Sequence, residues 1–473
     1  MTASLETMGR IAAMGALLAL ASCISLDPDY ERPTAPVPQA WPQGPAYAPA
    51  IAESADQELP QWRDFFADEK LRGVLELALQ QNRDLRIAAL NIERARAAYR
   101  IQRAQSLPTI EGGVAGDVRR TPAALSPTGD NQTTREYSAS VGFAAFELDL
   151  FGRVRSLNRA ALQDYLATAA ARDSVQISLI GETASLYIQY AGDLALLKLA
   201  QDTLASRRQS LELTQRRFEA GASSELDVHR AETTVESARA DAAHYTTLAA
   251  QDENALALLV GAPIPDALKP ASSDQVAFGV SELASGLPST VMLRRPDISE
   301  AEHVLIGANA DIGAARAAFF PSVTISAAGG QADPRFENLF SGAGAAWSFA
   351  PQINLPIFDG GARGARLGVA RVDRDIAVAQ YERSIQSAFR EVADALAERG
   401  TIEEQFAARQ ALANAAENSY RLSEARYREG VDNYLSLLDA QRELYAAQQG
   451  LVAARVDRAA NFVTLYKVLG GGV

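Results

Sequence analysis

The chain carries one unit twice. Arg217–Val228 (RFEAGASSELDV) returns as Arg426–Leu437 (RYREGVDNYLSL), 209 positions later. The register then holds, with Leu256 and Gly261 falling on Leu465 and Gly470. QSLPTIEGG, with Pro108, returns as AFFPSVTISAAGG, with Pro321, and FELDLFG (Phe146–Gly152) returns as INLPIFDGG (Ile353–Gly361). A unit this long, present only twice, is not a solenoid repeat. The fold must need it doubled.

Four segments alternate with the period of strands. In Ala345–Ile357 the odd positions hold Trp347, Phe349, Ile353, Leu355 and Ile357, and the even ones Ser348, Gln352 and Asn354. Val323 and Ile325 oppose Thr324 and Ser326. Ile110, Val114 and Val118 oppose Glu111, Asp117 and Arg119, while Tyr137, Val141 and Phe143 oppose Ser138, Ser140 and Gly142. A soluble sheet with one wet face would look similar, but no helix is left free to cover its apolar side. An apolar face toward lipid and a polar face toward a lumen fit a membrane barrel. Four strands cannot close one, and lipid does not tolerate open sheet edges, so three copies supplying twelve strands are expected.

The remainder reads as helix. Long runs cover about Val154 to Phe218 and Ala362 to Arg428, each about 100 Å at 1.5 Å per residue. Leu197, Leu204, Leu211 and Phe218 fall at heptad spacing, with Phe406, Ala413, Tyr420 and Tyr427 as their repeat equivalents. Shorter helices are expected over Asp68–Ser106, Ser224–Val260, Ser289–Phe319 and Asn433–Leu469. The lengths of Ser224–Val260 and Ser289–Phe319 sum to about one long helix, so a hollow cylinder of antiparallel helices is expected.

Aromatics are only 7% of the chain, which favours close packing through Ala over a large aromatic core. A net charge of −13 argues against a nucleic-acid partner, which would call for a basic patch. The three His residues (His229, His244, His303) are not clustered, so no metal site is expected. No Gly-rich phosphate loop or nucleophile motif points to an enzyme. The lone cysteine, Cys23, follows the short apolar run Ile11–Leu20 within LALASC. Such a run is too short to span a bilayer and fits a signal peptide. Small residues before a lone Cys resemble a lipobox, making Cys23 the expected lipidation site. Translation from Met8 would give a cleaner signal than translation from Met1. The expected organisation is a signal peptide at 1–22, a lipid anchor and extended Pro-rich strap at 23–67, and a first repeat at 68–261. A Pro-rich equatorial linker at 262–288 and a second repeat at 289–473 follow.

The lipobox with LDPDYERP, LRRPDISEAE (Leu293–Glu302), ARAAFFPSVTISA (Ala315–Ala327) and RYREGVDNYLSLLDAQRELY (Arg426–Tyr445) together resemble the TolC-like outer-membrane efflux factors. The closer likeness is to the OprM and NodT-type lipoprotein branch. The resemblance covers essentially all of the mature chain. It implies a mainly α fold with β: a homotrimer joining a 12-stranded β-barrel in the outer membrane to a periplasmic α-barrel of coiled-coil helices. It implies a passive duct for small molecules, joined through a periplasmic adaptor to an inner-membrane RND transporter. No cofactor is implied beyond the covalent lipid on Cys23. A type I protein-secretion duct and a heavy-metal efflux channel are the alternatives. A periplasmic coiled-coil scaffold would not need the four strands.

In similar proteins the helical turns meet the adaptor, which makes Arg217, Gly221, Arg426 and Gly430 candidate contacts. Plain turn chemistry would explain the glycines equally well. The family's gate motif falls on VDNYLSLLDAQ. Val431, Leu435 and Asp439 sit at i, i+4 and i+8, on one expected helical face. On a threefold axis they would form an apolar constriction and a carboxylate ring. Seam packing by Leu435 and an Asp439–Arg442 ion pair at i, i+3 is the alternative. The first repeat has Ala222, Leu226 and Arg230 at these positions, so the second turn is the expected gate.

Overall fold

A computed structural model describes residues 25–47, 61–270, 289–341 and 344–472. The signal peptide, Cys23, part of the strap and most of the 262–288 linker lie outside these residues. The described elements are α1 (Trp62–Phe65), α2 (Glu69–Gln81), α3 (Arg83–Ala104), β1 (Glu111–Thr121), β2 (Gln132–Leu148), α4 (Arg153–Glu219) and α5 (Glu225–Val260). They continue with α6 (Pro296–Ala317), β3 (Ser322–Asp333), β4 (Ala345–Asn354), α7 (Ala362–Arg428) and α8 (Tyr434–Val468). The chain divides into two compact units. One takes Met1–Thr34, Ile92–Thr168 and Glu300–Tyr381; the other takes Ala35–Asn91, Ala169–Ser299 and Glu382–Val473. Each draws on both repeats.

In the first unit the four strands form one antiparallel sheet in the order β1-β2-β3-β4. Its register places Val141 between Gly112 and Gly329, Phe143 opposite Ala327, and Trp347 and Phe349 opposite Gly329 and Ala327. One face is therefore apolar. The other pairs Asp117 with Glu136, Ser138 with Ala332, and Thr324 with Gln352. A bulge between Phe143 and Phe146, with Ala145 at φ 51°, returns Phe146 to the apolar face. There it meets Phe143 edge-on, 6.3 Å between centroids. A bulge adds one residue and so restores the alternation. The apolar side chains stay bare: Trp347 is 83% exposed, and Val114, Val141, Phe349 and Ile353 are exposed with it.

Both long helices have 67 residues, as the periodicity predicts. Each is started by an aspartate, at different places in the two repeats. Asp149 accepts from the Val154 and Arg155 amides at 3.1 and 2.9 Å. In the second repeat Pro356 stands at the equivalent position, and Asp359 accepts from Gly361 and Arg363 at 3.1 and 2.9 Å. Carboxylates suit helix N-termini because the first amides lack intrahelical partners. The strap docks in this unit through Arg32, bidentate to Glu302 at 2.7 Å, and through Asp27, which accepts from the Ser156 hydroxyl at 2.5 Å.

The second unit holds the main core. Phe65, Phe66, Leu71, Leu75, Ile180, Tyr187, Ile188, Leu256 and Tyr466 are buried together, with Phe65 and Tyr466 rings 4.7 Å apart. The strap therefore ends earlier than expected: Trp62–Phe65 is helical, and Trp62, Phe65 and Phe66 are buried, where 23–67 was expected to be extended. Asp68–Ser106 is likewise not one helix. Asn82 interrupts it, capping α3 by accepting from the Leu85 amide at 2.7 Å and donating Nδ2 to the Leu259 carbonyl at 2.6 Å. Ser289–Phe319 is also divided, with a 3₁₀ turn over Ser289–Arg294 preceding α6. Pro296 opens α6, where its missing amide costs nothing. The 22 residues of α6 and 36 of α5 fall short of a 67-residue helix, so the expected length match does not hold. Arg295 ties three helices together, donating to Asp297, to Glu391 and to the Val468 carbonyl at the end of α8.

Two carboxyls pack together between α4 and α5. Asp193 is 5% exposed and accepts from Gln189 at 3.0 Å. Burial, then the hydrogen bond to Asp193 and its charge, push the Asp252 carboxyl up to about 7. The folded chain then keeps a proton that the unfolded chain releases above roughly pH 4. Stability from this site is present on the acid side, falls as pH rises from about 4 to about 7, and then levels. Asp252→Asn is expected to flatten this dependence and raise the unfolding temperature above pH 7, measured by thermal denaturation from pH 5 to 8.

Candidate functional site

The two reversals are built alike. After α4, the Gly221 amide donates to the Phe218 carbonyl at 2.9 Å and the Ala222 amide to Arg217 at 2.7 Å. After α7, Gly430 donates to Tyr427 at 3.1 Å and Val431 to Arg426 at 2.9 Å. Both glycines sit at φ 75°, where a side chain is strained. The six-to-one hydrogen bond with a left-handed glycine is a Schellman stop. Ser224 then starts α5 through a reciprocal cap with Asp227, and Asn433 starts α8 by accepting from the Ser436 amide at 3.1 Å.

The equivalent arginines do different work. Arg217 is half-buried and reaches across to the other hairpin. Its Nη1 donates to the Tyr427 carbonyl at 2.7 Å, and its guanidinium stands 4.7 Å from the Tyr427 ring. That carbonyl also receives the Gly430 amide, so Arg217 braces the second turn. Arg426 is exposed and grips Asp432 with two hydrogen bonds at 2.6 and 3.0 Å. The first turn has Ser223 at the matching position, so Arg217 has no such local carboxylate. Motif reading identified these arginines but not their partners, because the Arg217 partner lies 210 residues away.

Of the three gate candidates, Leu435 and Asp439 share an exposed face of α8, while Tyr434, Leu437 and Leu438 on the other side are buried against Tyr427 and Ala231. Leu435 is 43% exposed and Leu437 2%. Val431 is not on that helical face. It precedes the Asn433 cap and belongs to the turn, because the Schellman stop uses its amide. Among the described residues Asp439 forms no ion pair, with Arg442 or any other group. In the first repeat Leu226 is also exposed, but Arg230 takes the place of Asp439 and lies 3.8 Å from Asp227. The seam differs too: Phe218 is 44% exposed, while Tyr427 is buried and its hydroxyl lies 3.3 Å from that of Thr214. An apolar side chain followed one turn later by an unpaired carboxylate can narrow an aqueous path and favour cations along it.

Removing a hydrogen bond from a charged donor costs about 1.5–3 kcal/mol. Arg217→Ala is accordingly expected to raise hydrogen exchange at the Gly430 and Val431 amides roughly tenfold or more, read by mass spectrometry, with little change at Gly221. Leu435→Ala combined with Asp439→Ala is expected to raise single-channel conductance in planar bilayers. Unchanged conductance would remove the gate assignment.

The family model for outer membrane efflux proteins matches residues 74–262 and again 287–471. The chain is 49% identical over 449 residues to the probable efflux pump outer membrane protein TtgC of Pseudomonas putida, covering 95% of this chain and 92% of that one. It is 48% identical over 460 residues to the solvent efflux pump outer membrane protein SrpC of Pseudomonas putida, covering 97% of each. Among solved structures, the open state of the MtrE outer membrane channel of Neisseria gonorrhoeae superposes with a TM-score of 0.85 at 36% identity, covering 95% of this chain and 98% of that one. A membrane protein from Pseudomonas aeruginosa reaches 0.88 at 40% identity, covering 95% and 98%.

Proposed function

The chain belongs to the outer membrane efflux protein family and is an outer-membrane efflux channel, and from that premise we propose that three copies form a passive duct for toxic small molecules. The observation that carries the reading is the sheet of the first unit. Its apolar side chains are exposed on one face, its small and polar ones line the other, and β1 and β4 are its outer strands. In hydrocarbon an outer strand must be paired. Copies joined β4 to β1 satisfy that, and three of them make a barrel of twelve strands with a polar interior.

The turns after α4 and α7 are the surfaces we assign to a periplasmic adaptor. They place Gly221, Arg426 and Gly430 at the ends of hairpins, with Arg217 holding the two together. The adaptor would link the duct to an inner-membrane RND transporter, which supplies the free energy. Leu435 and Asp439 would narrow the path at that end, with Val431 at its rim. A lipid on Cys23 would tether the strap to the membrane. No chemistry is asked of the duct. Solvents are the cargo named for the SrpC relative, and apolar toxicants of that kind are the class we assign here.

A deletion strain is expected to become more sensitive to toluene and to lipophilic antibiotics, and the wild-type gene to restore resistance. Crosslinking in intact cells followed by purification is expected to recover a trimer together with an adaptor. Restoration of resistance by a chain recovered only in the soluble periplasmic fraction would overturn the channel reading. Cys23→Ser is expected to lose the lipid mass on the N-terminal peptide in mass spectrometry.

A further inference from the structure

The second unit contains a cavity of about 610 Å³ between α4, α7 and α8, within the size range of small-ligand sites. Leu199, Leu444, Leu451 and Val452 give it an apolar side. Its polar side is built around Arg207, which is only 6% exposed. Arg207 donates Nη1 to the Thr234 carbonyl at 3.0 Å and lies 5.2 Å from the Tyr445 ring centroid. Among the described residues it forms no ion pair, although the charge of Asp241 reaches it. Burial pushes its pKa down. A buried cation without a paired anion is costly, and a fold keeps one where something offsets that cost.

Two further groups on this cavity are buried and lack a hydrogen-bond partner of good geometry. They are the Gln441 Oε1 and the Tyr445 hydroxyl, in side chains 7% and 9% exposed, the hydroxyl facing the Asp241 carboxylate. The Gln441 Nε2 is already engaged, donating to Ser210 Oγ at 3.1 Å. Buried polar atoms are normally satisfied, and each exception calls for an explanation. The repeat supplies an internal control. The position 209 residues after Arg207 is Ala416, and those 209 before Gln441 and Tyr445 are Glu232 and Glu236. The other copy of the hairpin is built without this polar set.

We propose that this cavity binds a small organic carboxylate with an apolar body. The carboxylate accepts from the Arg207 guanidinium and the Tyr445 hydroxyl, and the body lies on Leu444, Leu451 and Val452. Charge-assisted hydrogen bonds to a guanidinium are the strong ones, and a single buried arginine matches a monoanion better than a phosphate dianion. Two other cations line the cavity, Lys198 and Arg455; Lys198 is held by Asp202 at 2.6 Å, and Arg455 is engaged as well. A bound ligand would touch α4 of the first hairpin and α7 and α8 of the second, so its occupancy would bear on how the two hairpins pack. The proposal does not depend on the cargo or the gate assigned above.

The test uses the full chain purified in detergent and a charge series on one carbon skeleton: 3-phenylpropionate, 3-phenylpropanol and 3-phenylpropylamine. Binding is followed by calorimetry and ligand-observed NMR. The acid is expected to bind saturably at one site per chain, the alcohol at least tenfold more weakly and the amine not at all. Arg207→Gln is expected to weaken the acid at least tenfold. Equal binding of acid and alcohol, no saturable binding of the acid, or undiminished binding by Arg207→Gln overturns the proposal. If Arg207→Gln does not assemble on size exclusion, Tyr445→Phe decides: a loss of about threefold or more for the acid alone supports the site, and an unchanged acid affinity overturns it.

Discussion

Hydrocarbon offers no hydrogen-bond partner to a peptide group, and every backbone amide placed in it must be paired within protein. That constraint governs the sheet of the first unit. β2 and β3 are paired on both sides, whereas β1 and β4 are outer strands. Trp347, Phe349 and Ile353 call for lipid, and lipid in turn calls for closure through other copies. From closure follow the proposed trimer and the polar interior opposite the apolar wall. The bulge at Ala145 serves the same demand, since without it Phe146 would turn to the polar face.

The duplication supplies the parts, and its departures show which parts carry specific work. Helix starts and stops recur with different residues: Asp149 in one repeat, Asp359 in the other, for the same unsatisfied amides. Those differences are neutral because the physical requirement is local and several residues meet it. Other differences are not neutral. Arg426 finds Asp432 beside it, whereas Arg217, facing Ser223, crosses to Tyr427 and joins the two hairpins. Asp439 stands unpaired where Arg230 leans on Asp227. A nearly symmetric scaffold thereby holds one turn, the second, that is both braced by Arg217 and suited to narrowing a path.

Much of this was legible along the chain. The strand alternation located all four strands and their two faces. The long helices began and ended within a residue or so of where periodicity and the glycine turns placed them, because caps and Schellman stops are made by residues a few positions apart. Two of the misses share one cause. The break at Asn82 depends on the Leu259 carbonyl and the helix at Trp62–Phe65 on burial against Tyr466. Each answers to groups far away in sequence, which a periodicity cannot see. Val431 was misplaced for a local reason: the motif spacing extends a helical face through a turn that the glycine has already ended.

The sequence by itself determined the period of each element, the places where the chain reverses, the two-faced strands and the fact that the unit is doubled. These follow from rotational period, φ preference and side-chain polarity, which are properties of neighbouring residues. Only the tertiary structure decided which arginine braces and which stays local, that Leu435 and Asp439 are exposed together while Leu437 is buried, and that Arg207, Gln441 and Tyr445 converge on one cavity. Those outcomes depend on which distant helix each side chain meets, and packing sets that.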